Sequence, residues 1–215
     1  MLTTTEEMII KDGPNMGHVL THLEFLAKPN TSLFPEYKLE IRAIREGAPP
    51  RSQLINPAND DGLEMALHFV EQTNRQGFNV YVTVSPSQPS GPHVTDADII
   101  QIPFLLADAD ERGAVTQVKN DFIHKADAHV CTGTTPFERG HFYWQLEEPV
   151  QPDDFDRWKE LMQNIAKRHG CDPQICNPSR IMRLGGTVSY PSKAKRARGY
   201  QTELTAFYEY GGMNG

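Results

Sequence analysis

The sequence predicts an α+β fold in which helices flank a largely antiparallel sheet. Helical and strand-type hydrophobic patterns are mixed along the 215 residues, without the strict strand–helix–strand alternation that builds parallel sheets. Sixteen glycines and sixteen prolines indicate many loops between short elements. Because 38% of the residues are hydrophobic, the chain can bury a core. We expect a single domain over 1–215, or two interlocked subdomains over about 1–100 and 101–210.

Helices are predicted where apolar residues recur every three or four positions. Pro14 suits a first helical position, and Pro29 ends the periodic run that follows it. Gly77 supplies a C-cap for a second helix, and Asp153 or Asp154 an N-cap for a later one. The predicted helices span about 14–28, 61–75, 114–128 and 154–168.

Strands are predicted from alternating apolar residues and from short β-branched or aromatic runs. Apolar and charged residues alternate over 37–43, which is typical of a half-buried strand, and the run 104–106 suits a fully buried one. The predicted strands span 37–43, 78–85, 103–110, 129–133, 141–148, 181–184 and 200–210. Loops are expected at 47–52, 86–93 and 171–179.

Composition disfavours a secreted or membrane-inserted protein. Three scattered cysteines do not form a disulfide framework, which favours a reducing compartment. No apolar run approaches the length that spans a bilayer, and the first residues lack the basic and apolar parts of a signal peptide. We therefore expect a cytoplasmic protein that does not bind a membrane.

The charge of the chain is uneven. The net charge of −7 argues against indiscriminate binding to polyanions. The segment 177–200 nevertheless carries six basic residues and no acidic one. These residues are Arg180, Arg183, Lys193, Lys195, Arg196 and Arg198. Two interpretations remain open: a cationic strip that contacts phosphates, or a solvated basic loop.

Two aspartates follow the apolar run of the central predicted strand. Asp108 and Asp110 are two positions apart, so on a strand their side chains share one face, about 7 Å apart along the backbone. Like charges this close repel unless a cation lies between them, and Mg²⁺ or Mn²⁺ takes such oxygen ligands. The alternative is a pair of exposed acids at a strand end. The same motif at Asp96 and Asp98 follows a loop instead, and is typical of a helix N-terminus.

Further candidates lie at loop and strand boundaries. His141 begins a strand after Gly140, and a histidine there can donate to a triphosphate. Asp172 lies in a loop and could be a third metal ligand, or could form an Asx turn. Arg180 and Arg183 suit phosphates, but on an extended segment they project to opposite faces. The sequence has no P-loop or dinucleotide-binding motif, and the cysteine spacing is poor for zinc.

The order of these motifs is similar to that of a known family. An apolar strand ending in Asp108-Ala109-Asp110 is followed by Thr132-Gly133, by Gly140-His141-Phe142-Tyr143-Trp144, by Asp172 and by the run from Arg180 to Thr187. This set resembles the archaeo-eukaryotic primase superfamily, specifically its RepB-like branch in plasmids and phages. The resemblance covers about 39–208. It implies a primase catalytic core with a mixed or antiparallel, RRM-like sheet flanked by helices.

The resemblance also implies roles for individual residues. Asp108, Asp110 and Asp172 would bind two Mg²⁺ or Mn²⁺ ions, and His141 would contact the phosphates of the incoming nucleotide. Further nucleotide contacts would come from Arg180, Arg183, Lys193, Thr132 and Gly133. Template contacts would come from Lys195, Arg196 and Arg198. The sequence departs from the family pattern in having Arg139 where a serine is common and Gly185 where a proline is common.

The implied activity is nucleotidyl transfer from NTPs or dNTPs on a single-stranded DNA template, in phage or plasmid replication in a bacterial cytoplasm. One metal ion would lower the pKa of the attacking hydroxyl, and the other would neutralise the triphosphate. A replicative helicase, fused or separate, is a further expected partner. Two alternatives remain open: a non-catalytic single-stranded DNA-binding module, and a metal-dependent nuclease or replication initiator.

Overall fold

Two four-stranded antiparallel sheets form the framework of the computed structural model, which describes residues 2–30, 36–121 and 123–210. The α-helices are α1 Thr4–Asp12, α2 Met16–Ala27, α3 Asp60–Arg75, α4 Ala114–Lys119, α5 Phe155–His169 and α6 Lys193–Ala197. The strands are β1 Leu39–Ile44, β2 Arg51–Ile55, β3 Asn79–Thr83, β4 Ile102–Ala109, β5 Ala128–Gly133, β6 Arg139–Val150, β7 Ile181–Arg183, β8 Val188–Ser189, β9 Glu203–Leu204 and β10 Ala206–Glu209. The predicted α+β class with antiparallel sheets is confirmed.

The two sheets share the larger hydrophobic core. The first has the strand order β2-β1-β3-β7, the second has β10-β5-β6-β4, and β8 pairs with β9 separately. Buried side chains from both sheets pack together, including Ile41 and Val82 from the first and Phe104 and Tyr143 from the second. The strand β7 comes late in the chain yet completes the first sheet, so residues distant in sequence meet where the sheets face each other.

Several predicted elements differ from the observed ones. The helix predicted over 114–128 ends at Lys119, because Asp121 accepts hydrogen bonds from the backbone N–H groups of Ile123 and His124 and stabilises a turn. The end of the loop predicted at 47–52 belongs to β2, a strand that was not predicted because its first three residues are polar. The strand predicted over 200–210 is divided into β9 and β10.

Two short helices were not predicted. The helix α1 begins with a capping box in which Thr3 and Glu6 satisfy each other's backbone N–H groups. The helix α6 begins at the Ser192 cap within the basic segment. The acids Asp96 and Asp98 lie in a single turn of 3₁₀ helix, as expected for helix N-terminal residues. No helix in the described part of the chain is both long and apolar enough to cross a membrane.

The pairing of β4 with β6 sets up the site. Asp108 lies opposite His141 in this register, while Ala107 and Ala109 point to the other face. That other face packs against α4 and α5 through Val115 and Ala166. The aspartate–histidine face is therefore the one that the first sheet approaches through β7.

Candidate active site

A cavity of about 260 Å³ opens between the ends of the two sheets. Six of the residues predicted for the site line it. They are Asp108, Asp110, Thr132, His141, Arg183 and Lys195. Residues that sequence reasoning did not assign to the site complete much of the wall. They include Asn79, Tyr81, Arg139, Ser189, Tyr190, Tyr200 and Gln201.

Asp108 is a partly buried carboxylate with little compensation from hydrogen bonds. Its side chain is 17% exposed, and its Oδ1 atom has no hydrogen-bond partner among the described residues. Burial, together with the charge of Asp110, raises the pKa of Asp108 to about 7. A buried carboxylate of this kind, with a second carboxylate beside it, fits a divalent cation, because a cation would stabilise the ionised form of both.

The backbone of Asp172 is hydrogen-bonded to the backbone of Asp108. Its N–H donates to the Asp108 carbonyl oxygen at 3.0 Å, and its negative charge adds to the raised pKa of Asp108. The Asp172 side chain accepts from the Gln174 N–H at 2.8 Å, which is the Asx turn considered from the sequence, and it does not line the cavity. Within the described ranges, no three His, Cys, Asp or Glu side chains are grouped closely enough to hold a metal ion. The role of Asp172 as a third ligand stays a prediction.

His141 has a defined protonation state. Its Nδ1 accepts from the backbone N–H of Arg183 at 3.1 Å, so the proton of the neutral ring is on Nε2. Nε2 lies 3.5 Å from Oδ1 of Asp108, which is beyond a good hydrogen bond. Burial and the Arg183 charge lower the pKa of His141 to about 3, so the ring is neutral at physiological pH. His141 therefore presents a neutral N–H donor at the carboxylates.

Basic side chains surround the two aspartates. The Nζ atom of Lys195 lies 3.4 Å from Asp110, and the Nε atom of Arg139 lies 3.8 Å from the same carboxylate. The Arg183 guanidinium donates to Asn79 and to the Tyr81 hydroxyl, at 2.9 and 3.0 Å. A cavity with cations on several sides suits an anionic ligand with more than one charged group.

The two predicted arginines contribute differently. Arg183, at the end of β7, lines the cavity. Arg180 precedes β7, so the strand alternation that would send it to the opposite face does not apply to it. Its positive charge lowers the pKa of both Asp108 and His141, although it is not part of the cavity wall.

The basic segment after Pro191 is divided between the cavity and the surface. Lys193 was predicted to contact the nucleotide and Lys195 the template, but Lys195 lines the cavity and Lys193 is exposed outside it. The reason is that both lie in α6, where residues two apart point to nearly opposite sides. Arg196 donates to the buried Glu6 and to Thr202, while Arg198 is exposed and lies over the Tyr200 ring.

Arg139 is the site residue that sequence reasoning missed most clearly. In the sequence, Arg139 was noted only as a departure from the family pattern. A signal was present, because Arg139 and His141 are two apart on β6 and so share a face. Gly133 packs against Arg139, and a Cβ atom there would overlap the guanidinium; its contact with the nucleotide stays a prediction.

The same fold occurs in proteins of known structure. The AEP domain of the primase-polymerase (PrimPol) from cyanophage S-2L superposes with a TM-score of 0.61 at 22% identity, over 92% of this chain and 91% of that one. The chain has the fold of an archaeo-eukaryotic primase catalytic domain.

Primase RepB′ has the same fold. Its structure matches with a TM-score of 0.58 at 12% identity, over 89% of this chain and 56% of that one. The catalytic domain of primase RepB′ in complex with initiator DNA matches with a TM-score of 0.54 at 13% identity, over 87% and 84%. No protein-family profile matches the sequence. No curated protein does either. The expected primase-type fold is thus confirmed by structure, at identities too low for sequence matching.

Proposed function

We propose that this chain is a primase or primase-polymerase, which joins nucleotides on a single-stranded DNA template. The observation that carries the proposal is the juxtaposition of Asp108 and Asp110 with the neutral His141 N–H and with Arg183 and Lys195 in one cavity. Carboxylates that fit a cation and donors that fit phosphates are the two requirements of phosphoryl transfer. The likeness to primase domains supports this chemistry over other uses of the same groups.

Asp108 and Asp110 would hold the divalent cation, Mg²⁺ or Mn²⁺, with Asp172 as the candidate third ligand. A cation held there would neutralise charge at the phosphates and would lower the pKa of the attacking hydroxyl. The orphaned Oδ1 atom and the raised pKa of Asp108 support this assignment.

The remaining groups would bind and orient the nucleotide. His141 donates from Nε2 without carrying charge, so it can contact a phosphate oxygen throughout the neutral pH range. Arg183 is held by Asn79 and Tyr81, which preorganises its guanidinium. Lys195 makes a long ion pair with Asp110 and lies over the Tyr200 ring, and its half-exposed side chain can turn from these contacts to a phosphate at small cost.

Single-stranded DNA is the proposed template, and the exposed Arg198 beside the cavity is the most available template contact. The catalytic domain of primase RepB′ forms a complex with initiator DNA, which supports DNA as the partner of this fold. A replicative helicase, fused or separate, is proposed as a further partner on the family resemblance alone.

The test is primer synthesis on single-stranded DNA with Mg²⁺ or Mn²⁺ and either NTPs or dNTPs. We expect Asp108→Ala to abolish incorporation, and Asp153→Asn to leave it unchanged, because Asp153 is exposed and outside the cavity. Unchanged synthesis by Asp108→Ala rejects the assigned role. Salt-sensitive DNA binding by the wild type without incorporation identifies a binding module instead, and strand cleavage identifies a nuclease.

A further inference from the structure

We propose that Arg139 is an additional phosphate-binding residue of the cavity, and that Glu203 is the positioning residue that holds it there. The inference rests on the proposed function, since it concerns the polyphosphate part of the same nucleotide. Arg139 is 5% exposed and lines the cavity on the Asp110 side. The hydrogen bonds of this guanidinium show which of its donors the protein uses and which remain for a ligand.

The protein uses some of the Arg139 donors and leaves others available. Nη1 donates to the carbonyl oxygens of Thr135 and Phe137 at 2.6 and 3.1 Å, and Nη2 donates to Glu203 at 3.1 Å. A guanidinium has five N–H groups, so Nε–H and one Nη2 hydrogen remain beyond these three bonds. Nε lies 3.8 Å from Asp110, which is an ion pair without a hydrogen bond. Arg139 is thus anchored on one side and has unused donors for an anion.

Glu203 connects Arg139 to the loop between β5 and β6. One of its oxygens accepts from the backbone N–H and the hydroxyl of Thr134, at 2.8 and 2.6 Å, and from the Thr135 N–H at 3.2 Å. Its other oxygen accepts from Arg139. The Glu203 side chain itself is only 15% exposed. One carboxylate therefore fixes both the loop and the guanidinium.

Tyr200 and Gly133 further restrict the position of the Arg139 guanidinium. The Arg139 Cζ atom lies 4.4 Å from the centre of the Tyr200 ring, as expected for a cation–π contact. Gly133 also approaches so closely that a side chain there would displace the guanidinium. This arrangement is preorganised, which is what a binding residue needs and a simple surface ion pair lacks.

The charge of the cavity indicates the class of ligand. Three cationic side chains, those of Arg139, Arg183 and Lys195, line it together with two carboxylates, those of Asp108 and Asp110. Glu203 is already shared with the loop amides. The excess positive charge favours a polyphosphate over a neutral ligand, and the fork geometry of arginine suits phosphate oxygens.

The experiment compares the affinities of a nucleoside triphosphate and the corresponding monophosphate for the full chain, measured by calorimetry in Mg²⁺. We expect Arg139→Met to reduce the triphosphate preference about tenfold or more, which is typical of losing hydrogen bonds to a charged group. Arg139→Lys keeps the charge without the fork and should lose part of the preference. Arg112→Met is the matched control, because Arg112 contacts the same Phe137 ring but is exposed and outside the cavity.

Glu203→Gln tests the positioning role. The amide would direct N–H groups at the Arg139 guanidinium, so we expect the same loss as in Arg139→Met. The double variant should lose no more than Arg139→Met alone, because both changes act on one interaction. Additive losses, or an unchanged preference in Glu203→Gln, overturn the positioning role.

The outcomes also separate this inference from the proposed function. A wild-type chain that binds no nucleotide and makes no primer contradicts both. A wild-type chain that prefers triphosphate, with the preference retained in both Arg139→Met and Arg139→Lys, overturns the Arg139 assignment alone. Melting temperatures are recorded for each variant, and loss of folding in Arg139→Met leaves Arg139→Lys and Glu203→Gln to decide the question.

Discussion

The ionised side chain of Asp108, a proposed metal ligand, lowers the stability of the fold. Its hydrogen-bonding is incomplete and its pKa is raised to about 7 by burial and by Asp110. Because the folded-state pKa lies above the usual value for an aspartate, the ionised form is disfavoured, and stability is lost as the pH rises from about 4 through 7. Because a buried carboxylate of this kind does not stabilise the fold, a functional role explains an aspartate at this position better than a structural one.

We predict that Asp108→Asn stabilises the cation-free protein at pH 8 by roughly 2–4 kcal/mol, because it removes a buried negative charge. The gain in stability should disappear below about pH 4, where the wild-type carboxyl is protonated in the folded and in the unfolded chain. Denaturant unfolding with a chelator at both pH values measures it. Adding Mn²⁺ should stabilise the wild type and leave Asp108→Asn unchanged. A variant less stable than the wild type at pH 8 contradicts this interpretation of Asp108.

At the scale of elements, two buried histidines hold the free edge of β7, His141 from the second sheet and His22 from α2. Met182 pairs with β3 and Leu184 donates to Val80 there, so the N–H groups of Arg183 and Gly185 point away from β3. These two groups donate to Nδ1 of His141 and to Nδ1 of His22, at 3.1 and 3.0 Å. The edge strand is thereby capped by side chains of β6 and α2. His141 consequently makes a structural hydrogen bond through one ring nitrogen and leaves the N–H of the other nitrogen available in the cavity.

This arrangement predicts sensitivity to acid. Burial lowers the pKa of His22 to about 3, with a further contribution from neighbouring His141; His141 itself is lowered to a similar value. Both folded-state pKa values lie below the usual value for histidine. The stability that the two neutral rings contribute is therefore fully present above about pH 6.5 and is lost as the pH falls towards 3. Lower pH should release β7 from its contacts.

We expect His22→Asn to lose less stability between pH 7 and pH 4.5 than the wild type, because the asparagine oxygen can accept from Gly185 without titrating. The protection factor of the Gly185 amide, which corrects for the intrinsic slowing of exchange in acid, should fall between pH 7 and pH 4.5 in the wild type and fall less in His22→Asn. Equal acid sensitivity of the two proteins would show that His22 does not control the edge. His68, a histidine of α3 outside the cavity wall, provides the control substitution His68→Asn.

At the scale of the whole molecule, the basic segment serves two different purposes. Arg196 donates to Glu6, which is 3% exposed and whose pKa is lowered to about 2 by hydrogen bonds that overcome the effect of burial. This contact joins α6 to α1, from opposite ends of the chain. Arg198 is two positions further on, is exposed, and contacts a cavity residue, Tyr200. The +6 segment is thus neither a uniform DNA-binding strip nor merely a solvated loop.

We predict opposite consequences for these two neighbours. Arg196→Ala should lower the free energy of unfolding by about 1–3 kcal/mol, because it leaves Glu6 with fewer partners. Arg198→Ala should leave stability within about 0.5 kcal/mol but reduce the salt slope of single-stranded DNA binding by about one unit. Chemical denaturation and salt-dependent binding measure the two effects. A stability loss in Arg198→Ala with an unchanged salt slope would contradict this division.

The sequence predicted those parts of the fold and site that depend on local pattern. The buried run before Asp108 and Asp110 placed both carboxylates on one face, and context distinguished them from Asp96 and Asp98. The elements it misplaced lack such a signal: β2 begins with three polar residues, and the turn that ends α4 depends on a single side chain, Asp121.

Other parts of the site depend on contacts between distant residues. Lys195 reaches the cavity in place of Lys193 because the segment is a helix, which five residues do not reveal by periodicity. Arg139 and Glu203 are 64 positions apart and meet only when β9 lies beside β5. Tertiary packing therefore decided which of the many basic residues surround the aspartates.

The most direct test of the proposed nucleotidyl-transfer site is anomalous diffraction from crystals of the chain grown with Mn²⁺ and a nucleoside triphosphate. We predict a manganese peak at Asp108 and Asp110, with the phosphates against His141, Arg183 and Lys195. Nucleotide bound elsewhere, or manganese absent from the two aspartates at full nucleotide occupancy, would contradict the assignment.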